Sequence, residues 1–122
     1  MILKVLHGQV GYPKGAEEEA RKFYCGVLGL KAIPKPESLR DRGGFWLELG
    51  DFQVHLSPED GVDRSATKAH LAYQINNLEE WKCRFAREGV QVKDGIPIPG
   101  WSRFECRDPF GNRMEFMQKL TQ

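Results

Sequence analysis

The first half of the chain alternates between two kinds of hydrophobic pattern. Period-two alternation predicts a strand at residues 2–11, and an apolar stripe of helical spacing predicts a helix at 16–28. Three further strands are predicted at 30–33, 45–49 and 52–57, with the turn Gly50-Asp51 joining the last two. The stretch between the first two of these strands is expected to be a loop or a short helical turn.

The same order of elements follows a polar connector at residues 58–67. A strand is predicted at 69–75, and Asn77 with Glu80 forms a capping-box pattern at the start of a helix that Gly89 ends. Three more strands are predicted at 90–93, 102–107 and 113–118. The pattern of the second half is therefore again strand, helix, strand, strand, strand.

The spacing supports an internal duplication, because Gly29 precedes His55 by as many residues as Gly89 precedes Glu115. The repeated order predicts an α+β fold, in which residues 1–122 form a single domain. This domain consists of two βαβββ modules, at about 1–60 and 67–122.

Composition narrows the class of function. The chain is 40% hydrophobic and 29% charged with a formal net charge of +1, which is typical of a soluble globular domain. Neither half has the basic excess of a nucleic-acid-binding surface, and no window approaches the ~20 apolar residues that span a membrane. The three cysteines form no CxxC pair, and the N-terminus has no signal-peptide pattern. We therefore expect a cytoplasmic protein with no nucleic-acid or membrane partner.

The candidate chemistry depends on the three histidines of the chain. His7 and His70 lie on the first predicted strand of each module, and His55 and Glu115 lie on the last. Taken singly, each is expected to be an ordinary structural or surface residue. If the modules pack with pseudo-twofold symmetry, the four side chains converge, and such a set suits Zn, Ni, Co, Mn or Fe. The alternative is four unrelated polar residues on strands.

Several short segments, taken in order, match one family. The most specific is Asp-Pro-Phe-Gly-Asn-Arg-Met-Glu-Phe at 108–116, which follows Arg103-Phe104. The other segments are residues 5–10, 20–30, 46–51, 54–56 and 69–73. Together they resemble the vicinal oxygen chelate superfamily over essentially the whole chain. This superfamily includes glyoxalase I, bleomycin resistance proteins, extradiol dioxygenases and fosfomycin-modifying enzymes.

The resemblance implies paired βαβββ modules that form an open, cup-shaped mixed sheet around a divalent transition metal ion, and it implies a homodimer. Residue by residue, His7, His55, His70 and Glu115 match the metal-ligand positions of glyoxalase-like members. Glyoxalase I commonly has a glutamate in place of His55, and the ligand glutamates of glyoxalase I take part in proton transfer. Whether three or four of these side chains bind the metal stays open.

The activity that the resemblance implies is that of a metal-dependent lyase or isomerase. Its small substrate would chelate the metal through neighbouring oxygens, with Glu115 as ligand and base. An extradiol-type dioxygenase, a fosfomycin-modifying transferase and a non-catalytic bleomycin-resistance-like binding protein are the alternatives. Binding proteins of the last kind typically lack the metal ligands, so four intact positions argue against it.

Substrate contacts are expected from side chains near the ligands, although aromatic residues of small domains are more often core. The six candidates are Gln9, Trp46, Glu48, Trp101, Arg103 and Phe104.

Overall fold

The computed structural model describes residues 1–120 and divides the chain into two compact units. Unit 1 comprises Met1–Val62, and unit 2 begins at Asp63. The division lies inside the connector that the sequence predicted at 58–67. Each unit contains one four-stranded mixed sheet together with helical segments, which confirms the α+β fold class.

In unit 1 the first and last strands are parallel neighbours. The sheet order is β1-β4-β3-β2, and the other neighbours are antiparallel. The elements are β1 (His7–Tyr12), α1 (Glu17–Arg21), β2 (Lys31–Ile33), β3 (Phe45–Leu49) and β4 (Phe52–Pro58), with a π-helical turn at Lys22–Val27 and a 3₁₀ helix at Glu37–Arg42.

The strand predicted at residues 2–11 is shorter at its N-terminal end than the alternation suggested. Its ladder with β4 begins where His7 lies opposite Gln53, and β4 itself begins only one residue earlier, after the Gly50-Asp51 turn. Residues before His7 therefore have almost no partner strand beside them. One backbone bond, from Gln53 N–H to Leu6 O at 3.2 Å, continues the pattern.

The helix predicted at 16–28 has the expected extent but a different geometry in its second half. Leu28 N–H donates to Phe23 O, which is a bond of π-helical spacing. The wider turn buries both Phe23 and Tyr24, whereas regular α-helical spacing placed only Phe23 on the apolar stripe.

Unit 2 repeats the topology of unit 1, so the predicted duplication is confirmed at the level of strand order. Its sheet has the order β5-β8-β7-β6, again with the first and last strands parallel. The elements are a 3₁₀ helix at Arg64–Ala66, β5 (His70–Gln74), α2 (Leu78–Arg87), β6 (Lys93–Asp94), β7 (Trp101–Arg107) and β8 (Arg113–Lys119).

The ends of α2 confirm the predicted capping signals and explain a shifted strand. Asn77 Oδ1 accepts from Glu80 N–H at 3.2 Å, and Gly89 has a φ of +74° beyond the last turn. Val90 N–H donates to Phe85 O at 2.8 Å. Because Val90 completes the helix end in this way, the strand predicted at 90–93 forms only at Lys93–Asp94.

Each sheet has one apolar face and one polar face, as the alternation predicted. In unit 1 the apolar face includes Phe45, Leu47, Val54 and Leu56, all buried. In unit 2 the rings of Phe85, Phe104 and Phe116 pack together with centroids 5.2–6.0 Å apart. No helix within residues 1–120 is long and apolar enough to cross a membrane.

Candidate functional site

The turn between β7 and β8 fixes the position at which β8 begins. Asp108 is buried, and its Oδ1 accepts from the backbone N–H groups of Phe110 and Asn112, both at 2.9 Å. Its Oδ2 accepts from Asn112 Nδ2 at 2.7 Å. Gly111 has a φ of +100° and lies so close to Ser65 N that a Cβ would meet that atom at 3.0 Å. The turn therefore sets the depth of Glu115 on the next strand.

On the polar face of unit 2, the carboxylate of Glu115 lies between a cation and an imidazole. Arg103 Nη1 donates to Glu115 Oε2, and Arg103 Nε donates to Ile96 O at 2.9 Å. The other carboxylate oxygen, Oε1, lies 3.6 Å from His70 Nε2. Glu115 is only 8% exposed. The guanidinium thus compensates the charge of a buried carboxylate and fixes which oxygen faces His70.

A backbone carbonyl orients the His70 ring. Lys68 O lies 2.8 Å from His70 Nδ1 and can only accept, so Nδ1 carries a proton in the neutral ring. His70 Nε2 then has a free lone pair directed at the Glu115 side. This is the orientation that metal-binding histidines have when their second nitrogen is held by a carbonyl.

On the polar face of unit 1, three flat side chains stack across three adjacent strands. The ring centroids of Trp46 and His55 are 3.9 Å apart, and those of His55 and His7 are 4.0 Å apart. His55 Nε2 donates to Gln53 Oε1 at 2.8 Å. Burial, and secondarily the nearby His7, lowers the pKa of His55. The lowered pKa favours the neutral imidazole, the form that binds metals.

An open cleft of about 710 Å³ covers this polar face of unit 1. His7, His55 and Trp46 lie along it, and the segment that contains the 3₁₀ helix contributes cationic side chains to its wall. The cleft is lined by Leu6, His7, Gln9, Lys35, Leu39, Arg42, Gly43, Trp46, Glu48, Gly50, Asp51, Gln53, His55, Leu56 and Ser57.

A sequence model of the Glyoxalase/Bleomycin resistance protein/Dioxygenase superfamily matches residues 8–116. The chain belongs to this superfamily. No curated protein matches the chain.

Solved structures share the fold over nearly the full length of the chain. A glyoxalase family protein from Bacillus anthracis is 39% identical, with a TM-score of 0.89, and the match covers 98% of both chains. Lactoylglutathione lyase from Agrobacterium tumefaciens is 19% identical, with a TM-score of 0.72 and coverage of 94% and 92%. The fosfomycin resistance protein FosX from Listeria monocytogenes, complexed with Mn(II) and sulfate, is 15% identical, with a TM-score of 0.79 and coverage of 98% and 93%.

The four ligand positions predicted from the glyoxalase resemblance occur as two pairs. Unit 1 brings His7 and His55 together, and unit 2 brings His70 and Glu115 together. Over residues 1–120, no group of three or more His, Cys, Asp or Glu side chains forms a candidate metal site. The donor types nevertheless fit a transition metal. Bonds of about 2.1 Å at a tetrahedral angle place two ligand atoms roughly 3.4 Å apart, close to the His70–Glu115 separation.

The predicted substrate contacts lie in different surroundings. Gln9 and Glu48 line the cleft of unit 1, and Trp101 is half-buried on the polar face of unit 2. Phe104 is fully buried on the opposite face of β7, where its ring packs against those of Phe85 and Phe116. Arg103, another of the predicted contacts, lies on the polar face of unit 2, where its guanidinium pairs with Glu115.

Two residues of the cleft were missed by the sequence reasoning. Lys35 and Arg42 belong to the segment that was described only as a loop or a helical turn, and such a segment has no periodicity to indicate which side chains share a surface. Gln53 precedes His55 by two residues on the same strand, so the alternation of a strand places both side chains on one face and is the signal for their contact.

Proposed function

We propose that the protein is a metal-dependent enzyme of the glyoxalase type, a lyase or isomerase. Its substrate would be a small molecule that chelates the metal through neighbouring oxygens. The observation that carries this proposal is the arrangement of His70 and Glu115: a lone pair on Nε2 beside a carboxylate oxygen, each oriented by its own partner. Superfamily membership supports the same activity, and a solved relative contains Mn(II).

In this proposal His7, His55, His70 and Glu115 hold the metal ion. The metal, when bound, would stabilise negative charge that develops on the substrate oxygens. His70 Nε2 and Glu115 Oε1 are the two donors that unit 2 supplies. His7 and His55 are those of unit 1, and binding through His55 Nε2 requires Gln53 Oε1 to move away. His55 is therefore the ligand whose participation decides between three and four protein donors.

Glu115 also moves the proton in this proposal. Because Arg103 occupies Oε2, Oε1 would serve in turn as the donor to the metal and as the base that takes a proton from the carbon next to a carbonyl and returns it. Burial of Glu115 keeps bulk water from competing for that proton. Arg103 keeps the carboxylate in one orientation and balances its charge while the proton is absent.

The test is metal-dependent proton exchange. Protein loaded separately with Zn²⁺, Ni²⁺ or Mn²⁺ is incubated in D₂O with hydroxyacetone or dihydroxyacetone, and loss of the C–H signal is followed by NMR. We expect exchange that chelator abolishes and that Glu115→Gln lowers by about 100-fold or more. Gln74→Ala is the matched control, since Gln74 lies on the same strand and face as His70. Full exchange in Glu115→Gln would contradict the role of Glu115 as base.

A metal-free binding protein is the second candidate. The ion pair between Arg103 and Glu115 favours it, because that pair satisfies the buried carboxylate without a metal. Metal-loaded protein that shows no exchange with any carbonyl compound, and metal-free protein that retains a small ligand, would favour this candidate.

A further inference from the structure

We propose that the cleft of unit 1 is a binding site for a small organic acid, with Lys35 and Arg42 as the residues that bind its anionic group. The proposal deepens the proposed function and rests on it in one respect. The acid would be the substrate itself, whose anionic group binds here while its neighbouring oxygens reach the metal. Neither residue belongs to the predicted metal or substrate set.

The two cations have hydrogen-bonding capacity to spare. Lys35 Nζ donates to Gly43 O at 2.6 Å, and an ammonium group has three N–H donors. Among the residues that the structure describes, Arg42 has no ion pair and no hydrogen bond from its guanidinium. Both residues line the same cleft. An incoming carboxylate or phosphonate would therefore find donors that no protein acceptor already occupies.

The acidic residues of the cleft are already neutralised by cations of their own. Glu48 Oε1 lies 3.6 Å from Lys31 Nζ, and Asp51 Oδ2 accepts from Lys4 Nζ at 3.2 Å. The hydrogen bond from Lys4, with its charge, lowers the pKa of Asp51, so Asp51 stays ionised within its pair. The charge left uncompensated along the cleft is therefore positive, which selects an anion over a neutral or cationic ligand.

The backbone after Arg42 is fixed in place. Gly44 has a φ of +84°, and a Cβ there would lie 2.2 Å from Leu56 O, so this position packs directly against β4. A Cβ on Gly43 would meet Pro58 Cγ at 3.2 Å. Arg42 thus projects from an anchored segment. Because the fold already orders this backbone, less conformational entropy is lost when the side chain binds an anion.

The rest of the cleft suits the uncharged body of such an acid. Both faces of the His55 ring are covered, by Trp46 on one side and His7 on the other, so His55 presents only its edge. Leu6 and Leu39 add apolar surface to the same cleft. An acid bound at Lys35 and Arg42 therefore lies in the cleft that also contains the imidazoles.

The experiment uses two flat probes of equal shape, 1-naphthoate and 1-naphthamide. They are titrated by calorimetry into the full chain after chelator treatment, at 0.15 M salt. We expect naphthoate to bind about fivefold or more tightly than naphthamide. Arg42→Gln and Lys35→Gln should each remove most of this preference. Arg40→Gln is the matched control, because Arg40 lies on the same 3₁₀ helix and does not line the cleft.

Equal affinities for the two probes, or no binding of either, would overturn the proposal. So would an Arg40→Gln variant that loses as much preference as Arg42→Gln, since net charge alone would then explain the binding. The titration uses metal-free protein, so its result does not depend on metal binding. If the chain prefers naphthoate but binds no metal ion in a separate measurement, the proposed enzyme is contradicted and this site stands. Near-ultraviolet circular dichroism confirms that each variant is folded.

Discussion

Arg103 and Glu115 form a nearly buried ion pair, and the side chain of each is less than one-fifth exposed. Removing one partner of such a pair leaves the other charge buried without compensation, which costs more than the pair itself contributes. The pair therefore acts on stability as well as on the site. Arg103 also meets Gly95 closely, since a Cβ there would lie 2.8 Å from its Cζ.

Arg103→Met should destabilise the protein by about 3 kcal/mol, because Glu115 then loses its cation. The double variant Arg103→Met/Glu115→Gln should recover much of that loss, since the remaining amide carries no charge. Urea unfolding of the wild type, both single variants and the double variant gives the coupling free energy. Additive effects of the two substitutions would show that the ion pair is not coupled.

Single residues also mark the limit of prediction from the sequence. His70 and Glu115 were placed on strands by the alternation of period two, which also sets Glu115 on the face opposite Met114 and Phe116. The partner of Glu115 was not predicted, because no local pattern relates Arg103 on β7 to Glu115 on β8. The cations of the cleft were missed for a similar reason, since loop conformation decides what Lys35 and Arg42 face.

Among the elements, the turn at residues 108–112 is the one that most directly positions the site. Asp108 accepts three hydrogen bonds within the turn, and Gly111 supplies the left-handed φ that a side chain would strain. The residue types of the Asp-Pro-Phe-Gly-Asn segment are typical of such a turn. The length of β1 was predicted less well, because the limit is set by where β4 begins rather than by β1 itself.

Asp108→Ala should lower the free energy of unfolding by about 3 kcal/mol, since it removes a buried acceptor from two backbone N–H groups and one side-chain amide. Asp51→Ala is the control, because Asp51 lies exposed in the other hairpin turn. We expect that control to change stability by about 0.5 kcal/mol or less. Equal losses in the two variants, measured by denaturant titration, would contradict the anchoring role of Asp108.

At the scale of the whole molecule, the duplication was the most predictable property. Two modules with the same order of elements were expected from the hydrophobic pattern and the spacing, and the matching sheets β1-β4-β3-β2 and β5-β8-β7-β6 confirm the repeat. Side-chain chemistry diverges between the repeats: the position of His55 on β4 corresponds to that of Glu115 on β8, as the matching registers show. Period and turn signals thus predict a repeated backbone. They do not explain why one repeat has an imidazole where the other has a carboxylate.

The whole molecule should lose stability at alkaline pH. Burial, aided by Glu17, raises the pKa of Tyr12 from 10.0 to about 12. Burial, aided by Asp108, raises the pKa of Cys106 from 9.0 to about 12 and also raises the pKa of Tyr73. These groups ionise earlier in the unfolded chain, so their contribution is complete below about pH 9 and is lost as the pH rises towards about 12.

Urea unfolding at pH 8, 9.5 and 11 measures this effect. We expect the free energy of unfolding to fall by about 5 kcal/mol between the first and the last of these values. Tyr73→Phe should have a shallower decline, because it removes one of the groups that titrate. Stability that stays constant up to pH 11 in the wild type would contradict the burial of these groups.

The central claim is that the histidines and Glu115 hold a transition metal ion, and metal content tests it most directly. The full chain is purified without chelator, equilibrated with Zn²⁺, Ni²⁺ or Mn²⁺, desalted and analysed by mass spectrometry of the elements. The account predicts about one ion per chain in the wild type and in Gln74→Ala, and almost none in His70→Ala. A wild-type chain that retains no metal, or a His70→Ala variant that retains as much as the wild type, would contradict it.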